Sequence, residues 1–65
     1  MNSKEFGIRI GKAMKGSEGA IEQSQMLDQK LEETHYEDEY VGKVMREYRR
    51  GVRIGLGLEE DDETT

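Results

Sequence analysis

The sequence predicts a mainly α fold: a small two- or three-helix protein with short strand-like ends, completed by oligomerisation or by a partner. Three observations point there. Residues 16–51 contain no Pro and few β-branched side chains, and they are rich in Glu, Gln, Lys, Arg, Leu and Met, which are good helix formers. The segments on either side carry glycines and alternate apolar with polar residues, the period of a half-buried strand. The chain has only 65 residues, 32% of them hydrophobic, so one small helical domain over 1–58 with an acidic tail at 59–65 has a thin core. A second copy or another protein is expected to complete it.

The first element is "EFGIRI", residues 5–10, which sets Phe6, Ile8 and Ile10 on one face and Glu5, Gly7 and Arg9 on the other. Ser3, Phe6, Ile10 and Met14 also fit a capped helix, but each of two interior glycines would cost it about 1 kcal/mol relative to Ala. A helix over 18–33 follows, with Ser17 as its N-cap and Glu18 in the first turn, where a carboxylate meets the positive end of the helix dipole. Ala20, Ser24, Leu27 and Leu31 fall on its one face. Thr34 and Glu37 have capping-box spacing and mark a break and restart.

The next helix, 36–50, is the clearest. Tyr40, Val44 and Tyr48 are four apart, and Val41, Met45 and Tyr48 continue the same apolar stripe. Arg46, Arg49 and Arg50 suit its C-terminal end, with Gly51 as the residue after the last turn. Beyond it "GVRIGLGL" alternates Val52, Ile54, Leu56 and Leu58, and its three glycines argue against a helix.

One internal echo cuts across these elements. "GIRIG" at 7–11 returns as "GVRIG" at 51–55, with Met1 and Met45 the same distance ahead. Two short strand-like edges explain the echo better than two copies of a helix. Gly7 and Gly11 also form a small-xxx-small pair, a motif of helix contacts in lipid, and no run here is long enough to span lipid.

Net charge is −5, distributed in blocks: residues 1–16 and 42–55 are basic, 17–41 and 56–65 acidic. Such blocks suit a chain whose ends and middle meet differently charged surfaces, or each other. With no Cys there is neither a disulfide framework nor a thiolate metal site, and with no signal peptide or membrane run the expected location is intracellular, cytoplasmic or virion-associated.

Catalytic chemistry finds little support. His35 is the one histidine, and the carboxylates at 32–33 and 37–39 are those of a solvated helix face. "GVRIGLG" lacks the spacing of a phosphate-binding loop. No catalytic, cofactor-binding or metal-binding residue is therefore expected. The candidate interface is Tyr40, Val44, Met45 and Tyr48, for a protein partner or homo-oligomer. Arg9, Arg46, Arg49, Arg50 and Arg53 could form a basic patch for a nucleic acid or an acidic partner. The preferred expectation is that they neutralise the acidic middle or the tail, within the molecule or across a dimer.

"DEYVGKVMREYRRGVRIG", residues 38–55, resembles the second helix and C-terminal end of the ribbon-helix-helix family of Arc-like phage repressors. "EFGIRI" is similar to that family's N-terminal strand. The resemblance implies a dimer whose paired strands enter the DNA major groove, with Arg9 reading bases beside Glu5 and Gly7. Glu37, Asp38 and Glu39, however, stand at the helix N-terminus that the family turns towards a DNA phosphate. The leading expectation is thus a non-enzymatic interaction protein of phage type (an accessory, an inhibitor or a virion component). A DNA-binding repressor is the alternative, and an acidic DNA mimic is a remoter third.

Overall fold

The repeated glycine segment is helical in both copies, and the two copies lie against each other. The computed structural model describes residues 2–61. Three α-helices form in order: α1 (Ser3–Met14), α2 (Ala20–Glu33) and α3 (Glu39–Gly55). Among the described residues there is no strand, so the expected strand-like ends are corrected to helix: residues 5–10 lie within α1 and 51–55 are the last turns of α3.

The physical reason is close approach. A Cβ on Gly7 would overlap the Tyr48 carbonyl oxygen and stand 2.9 Å from the Val52 nitrogen. A Cβ on Gly51 would overlap the Lys4 carbonyl oxygen and stand 2.9 Å from the Ile8 nitrogen. The same reciprocity holds one turn on, where Gly11 meets Val52 and Gly55 while Gly55 meets Ile8 and Gly11. The two glycines of each copy thus meet the matching residues of the other, so α1 and α3 run parallel about a local two-fold axis. The echo in the sequence is this symmetry. The small-xxx-small spacing, expected to matter only in lipid, serves here because it lets two backbones touch. Gly7, Gly11 and Gly51 lie inside their helices and cost about 1 kcal/mol each in helix propensity, which the contact must offset.

The caps also differ from expectation. Asn2, not Ser3, caps α1 by accepting from the Glu5 N–H at 2.8 Å. Gly19 at φ 76°, not Ser17, precedes α2 and offers no side-chain cap. Thr34 ends α2, its hydroxyl donating to the Lys30 carbonyl at 2.8 Å, and α3 is started by Asp38, which accepts from the Tyr40 N–H at 2.8 Å. Thr34 and Glu37 therefore form no capping box. α3 runs through Gly51 and stops at Gly57 (φ 81°), where the Gly57 N–H reaches the Ile54 carbonyl and the Leu58 N–H the Arg53 carbonyl, a Schellman turn.

α2 crosses back antiparallel to α3, so that Asp28 reaches Arg49 and Arg53 while Glu32 lies nearest Arg49. The molecule measures 35 × 29 × 17 Å, and its thin dimension holds only two helix layers. Two layers enclose little. The buried apolar side chains are Ala20, Val52 and Leu56, and of the expected α2 face Ala20 and Ser24 are buried, Leu31 is half-buried and Leu27 is exposed.

Candidate functional site

The register of the seam creates the first surface. Gly7 lies opposite Gly51, which sets Ser3 level with Glu47, so residues 39–46 of α3 project past the start of α1. Only the first turns of α1, at Ser3 and Phe6, reach the apolar side of that projection. Tyr40 is 73% exposed and Val41 43% exposed, while Val44, Met45 and Tyr48 are half-buried. Phe6, at the edge of α1, holds its ring 5.8 Å from that of Tyr48 at a 31° tilt. Together Phe6, Val44, Met45 and Tyr48 line an open apolar hollow of about 450 Å³. Of the four residues expected at an interface, Val44, Met45 and Tyr48 line this hollow, while Tyr40 lines a polar hollow with His35 and Arg46. Phe6, expected on a strand, stands beside the stripe because α1 is helical.

A second hollow lies under α2. Ile10 and Met14 of α1, Leu27 and Leu31 of α2, and Tyr48 and Val52 of α3 line an apolar groove of about 160 Å³. Charge closes one edge of it. Arg49 Nε donates to Asp28 Oδ1 at 2.7 Å, and Arg53 donates to both Asp28 oxygens at 3.0 and 3.1 Å. Partial burial pushes the Asp28 carboxyl up, but the Arg49 hydrogen bond and the Arg53 and Arg49 charges outweigh it and hold it below its ordinary value.

The third surface joins the acidic tail to α3. Glu59 is forked between two arginines, with Arg50 Nε donating to Oε2 at 2.7 Å and Arg53 Nε to Oε1 at 3.0 Å. Asp61 takes the Lys4 ammonium at 2.6 Å, tying the tail to the start of α1. The Arg50 hydrogen bond, opposed by slight desolvation and helped by Arg53, lowers the Glu59 carboxyl from its ordinary value. Residues 62–65 of the expected tail lie outside the described residues.

The five arginines do not converge on one patch. Arg49 and Arg53 meet the acidic middle, and Arg50 and Arg53 meet the tail. Arg9 and Arg46 are exposed, and among the described residues neither makes an ion pair. Arg9 and Arg53 are equivalent positions of the two copies, yet one faces solvent and the other bridges α2 and the tail. Asp28, Glu59 and Lys4 were not singled out in advance. Charge blocks alone could signal that the basic and acidic segments meet, but which carboxylate reaches which guanidinium depends on the seam register.

His35 is exposed in the linker between α2 and α3, at the rim of an open polar hollow shared with Tyr36, Lys43 and Arg46. Among the described residues, no three His, Cys, Asp or Glu side chains gather as a metal ion would need, and no helix is long and apolar enough to cross a membrane. No family model matches the chain, and no curated protein or solved structure shows significant similarity to it.

Proposed function

We propose that this is a non-enzymatic interaction protein that binds a protein partner, or a second copy of itself, through the apolar stripe of α3. The observation that carries the reading is the imbalance along that stripe. Among the described residues the buried apolar side chains are Ala20, Val52 and Leu56, while Phe6, Tyr40 and Val41 stand 49%, 73% and 43% exposed. A small chain that spends its aromatic side chains on an open surface gains most from covering them, because burial of apolar area supplies roughly 25 cal/mol per Å². A role as a phage-type accessory, inhibitor or virion component suits this chemistry.

The ribbon-helix-helix reading would require residues 5–10 to pair as strands, and in this structure they pack as a helix on the Gly51–Gly55 segment. That favours the protein-binding reading over the DNA-binding one. Sedimentation equilibrium on the full chain tests it. Self-association at micromolar concentration is expected, and Tyr40→Glu with Val41→Glu should abolish it without changing helix content. A wild-type chain that stays monomeric at high micromolar concentration would exclude self-assembly. Sequence-dependent nanomolar binding of duplex DNA at physiological salt would replace the reading with a repressor.

A further inference from the structure

The acidic tail occupies a basic surface in a way that describes what else the surface can hold. Glu59 has each carboxylate oxygen taken by a different guanidinium, Arg50 at 2.7 Å and Arg53 at 3.0 Å. Two residues on, Asp61 lies against the Lys4 ammonium at 2.6 Å. Arg50 and Arg53 are one helical turn apart on α3, and Lys4 reaches the same side because its own backbone meets Gly51 across the seam. The spacing of the three cations is therefore set by the glycine seam. Their occupant enters through the Schellman turn at Gly57 and contains no helix or strand from residue 58 to 61.

We propose that Lys4, Arg50 and Arg53 form a docking site for an acidic peptide segment of a partner protein, and that residues 59–61 fill it in cis as a competitor. The proposal rests on reading the chain as an interaction protein, but it concerns a different surface from the apolar stripe. Charge complementarity identifies the occupant's chemistry: carboxylates two residues apart on a segment without helix or strand, the spacing that Glu59 and Asp61 present. Partly exposed ion pairs are individually weak and fall with salt, so a tethered tail can hold the site when alone and yield it to a longer acidic stretch. The tail would then set a threshold: partners with few carboxylates are refused, and those with many gain entry.

Fluorescence anisotropy with a labelled oligo-glutamate peptide tests this on the full-length chain. The double variant Glu59→Gln/Asp61→Asn keeps the tail but removes its anchors, and it should bind the peptide roughly tenfold more tightly than wild type. Adding Arg50→Gln should remove that gain. Arg50 is chosen over Arg53 because Arg53 also holds Asp28, and circular dichroism should show unchanged helix content in each variant. Equal affinity of wild type and double variant, or a gain that survives Arg50→Gln, would overturn the proposal. So would tighter binding of duplex DNA than of peptide by the double variant at physiological salt, which would assign the surface to phosphate. The outcome is independent of the Tyr40 and Val41 sedimentation test, so either surface can fail alone.

Discussion

Along α1 and α3 the backbones touch at four glycines, whereas α2 meets α3 through carboxylate and guanidinium groups over a half-open apolar groove. The first contact is short-range and indifferent to salt, since it depends on the absence of side chains. The second depends on charges whose side chains are 13% to 30% exposed, and these weaken with salt and acid. The α1–α3 pair is thus the rigid frame, with α2 and the tail fastened to it by charge. On the proposed reading, the frame fixes where the cations and the apolar stripe stand, and the fastened parts decide what is uncovered.

The largest expected effect comes from forcing the seam open. Gly11→Val sets a branched side chain into the Val52 carbonyl and the Gly55 backbone, neither of which can turn aside. Overpacking costs typically 1–3 kcal/mol, and against immovable backbone about 3 kcal/mol or more is expected. A chain with so small a core should then lose its cooperative urea transition.

Next comes the join between seam and groove. Tyr48 stacks on Phe6 and walls both hollows, so Tyr48→Ala should cost about 2 kcal/mol, the loss of a half-buried ring and its aromatic partner. Tyr40→Ala on the open end of the same stripe should leave monomer stability within about 0.5 kcal/mol. Equal losses at both positions would mean that the stripe is core rather than surface.

Smaller still is the electrostatic fastening. Asp28→Asn should cost about 1 kcal/mol at neutral pH and loosen α2 while α1 and α3 stay paired. Asp28 and Glu59 both titrate below their ordinary values in the folded state. Their contribution is therefore present above the ordinary carboxylate range and is lost as pH falls through about 4 and below. Urea midpoints at neutral and acid pH should fall further for wild type than for Asp28→Asn/Glu59→Gln. The smallest effect belongs to His35→Gln, which should move stability by less than about 0.5 kcal/mol and leave partner binding intact.

Sequence periodicity alone carried the middle of the fold. The stripe from Tyr40 to Tyr48 and the turn between α2 and α3 are legible because apolar spacing and helix formers agree there. At the ends they disagree. Gly7, Gly11, Gly51 and Gly55 lower helix propensity, and Phe6-Ile8-Ile10 alternates like a strand, so local signals point away from helix. What overrides them is a contact between residues 44 apart in sequence, invisible to any window of local pattern. The echo was the available clue, and its value lay in the spacing of its glycines, not in the alternation between them. The apolar stripe was legible for the same reason as its helix. The ion pairs of Asp28 and Glu59 were not, because they need the seam register before a partner can be assigned.

The seam itself is best tested by one substitution made twice on the same helix. Gly42 and Gly51 are both buried in α3, but a Cβ at Gly42 would meet only ordinary contacts, the nearest being the flexible end of Arg46 at 3.5 Å. Gly51 would drive the same atom into the Lys4 carbonyl. Urea unfolding of the two alanine variants should therefore differ in sign: Gly42→Ala gains up to about 1 kcal/mol from helix propensity, and Gly51→Ala loses about 3 kcal/mol or more. Two equal gains would show that α1 and α3 do not touch at these glycines and would contradict the two-fold seam.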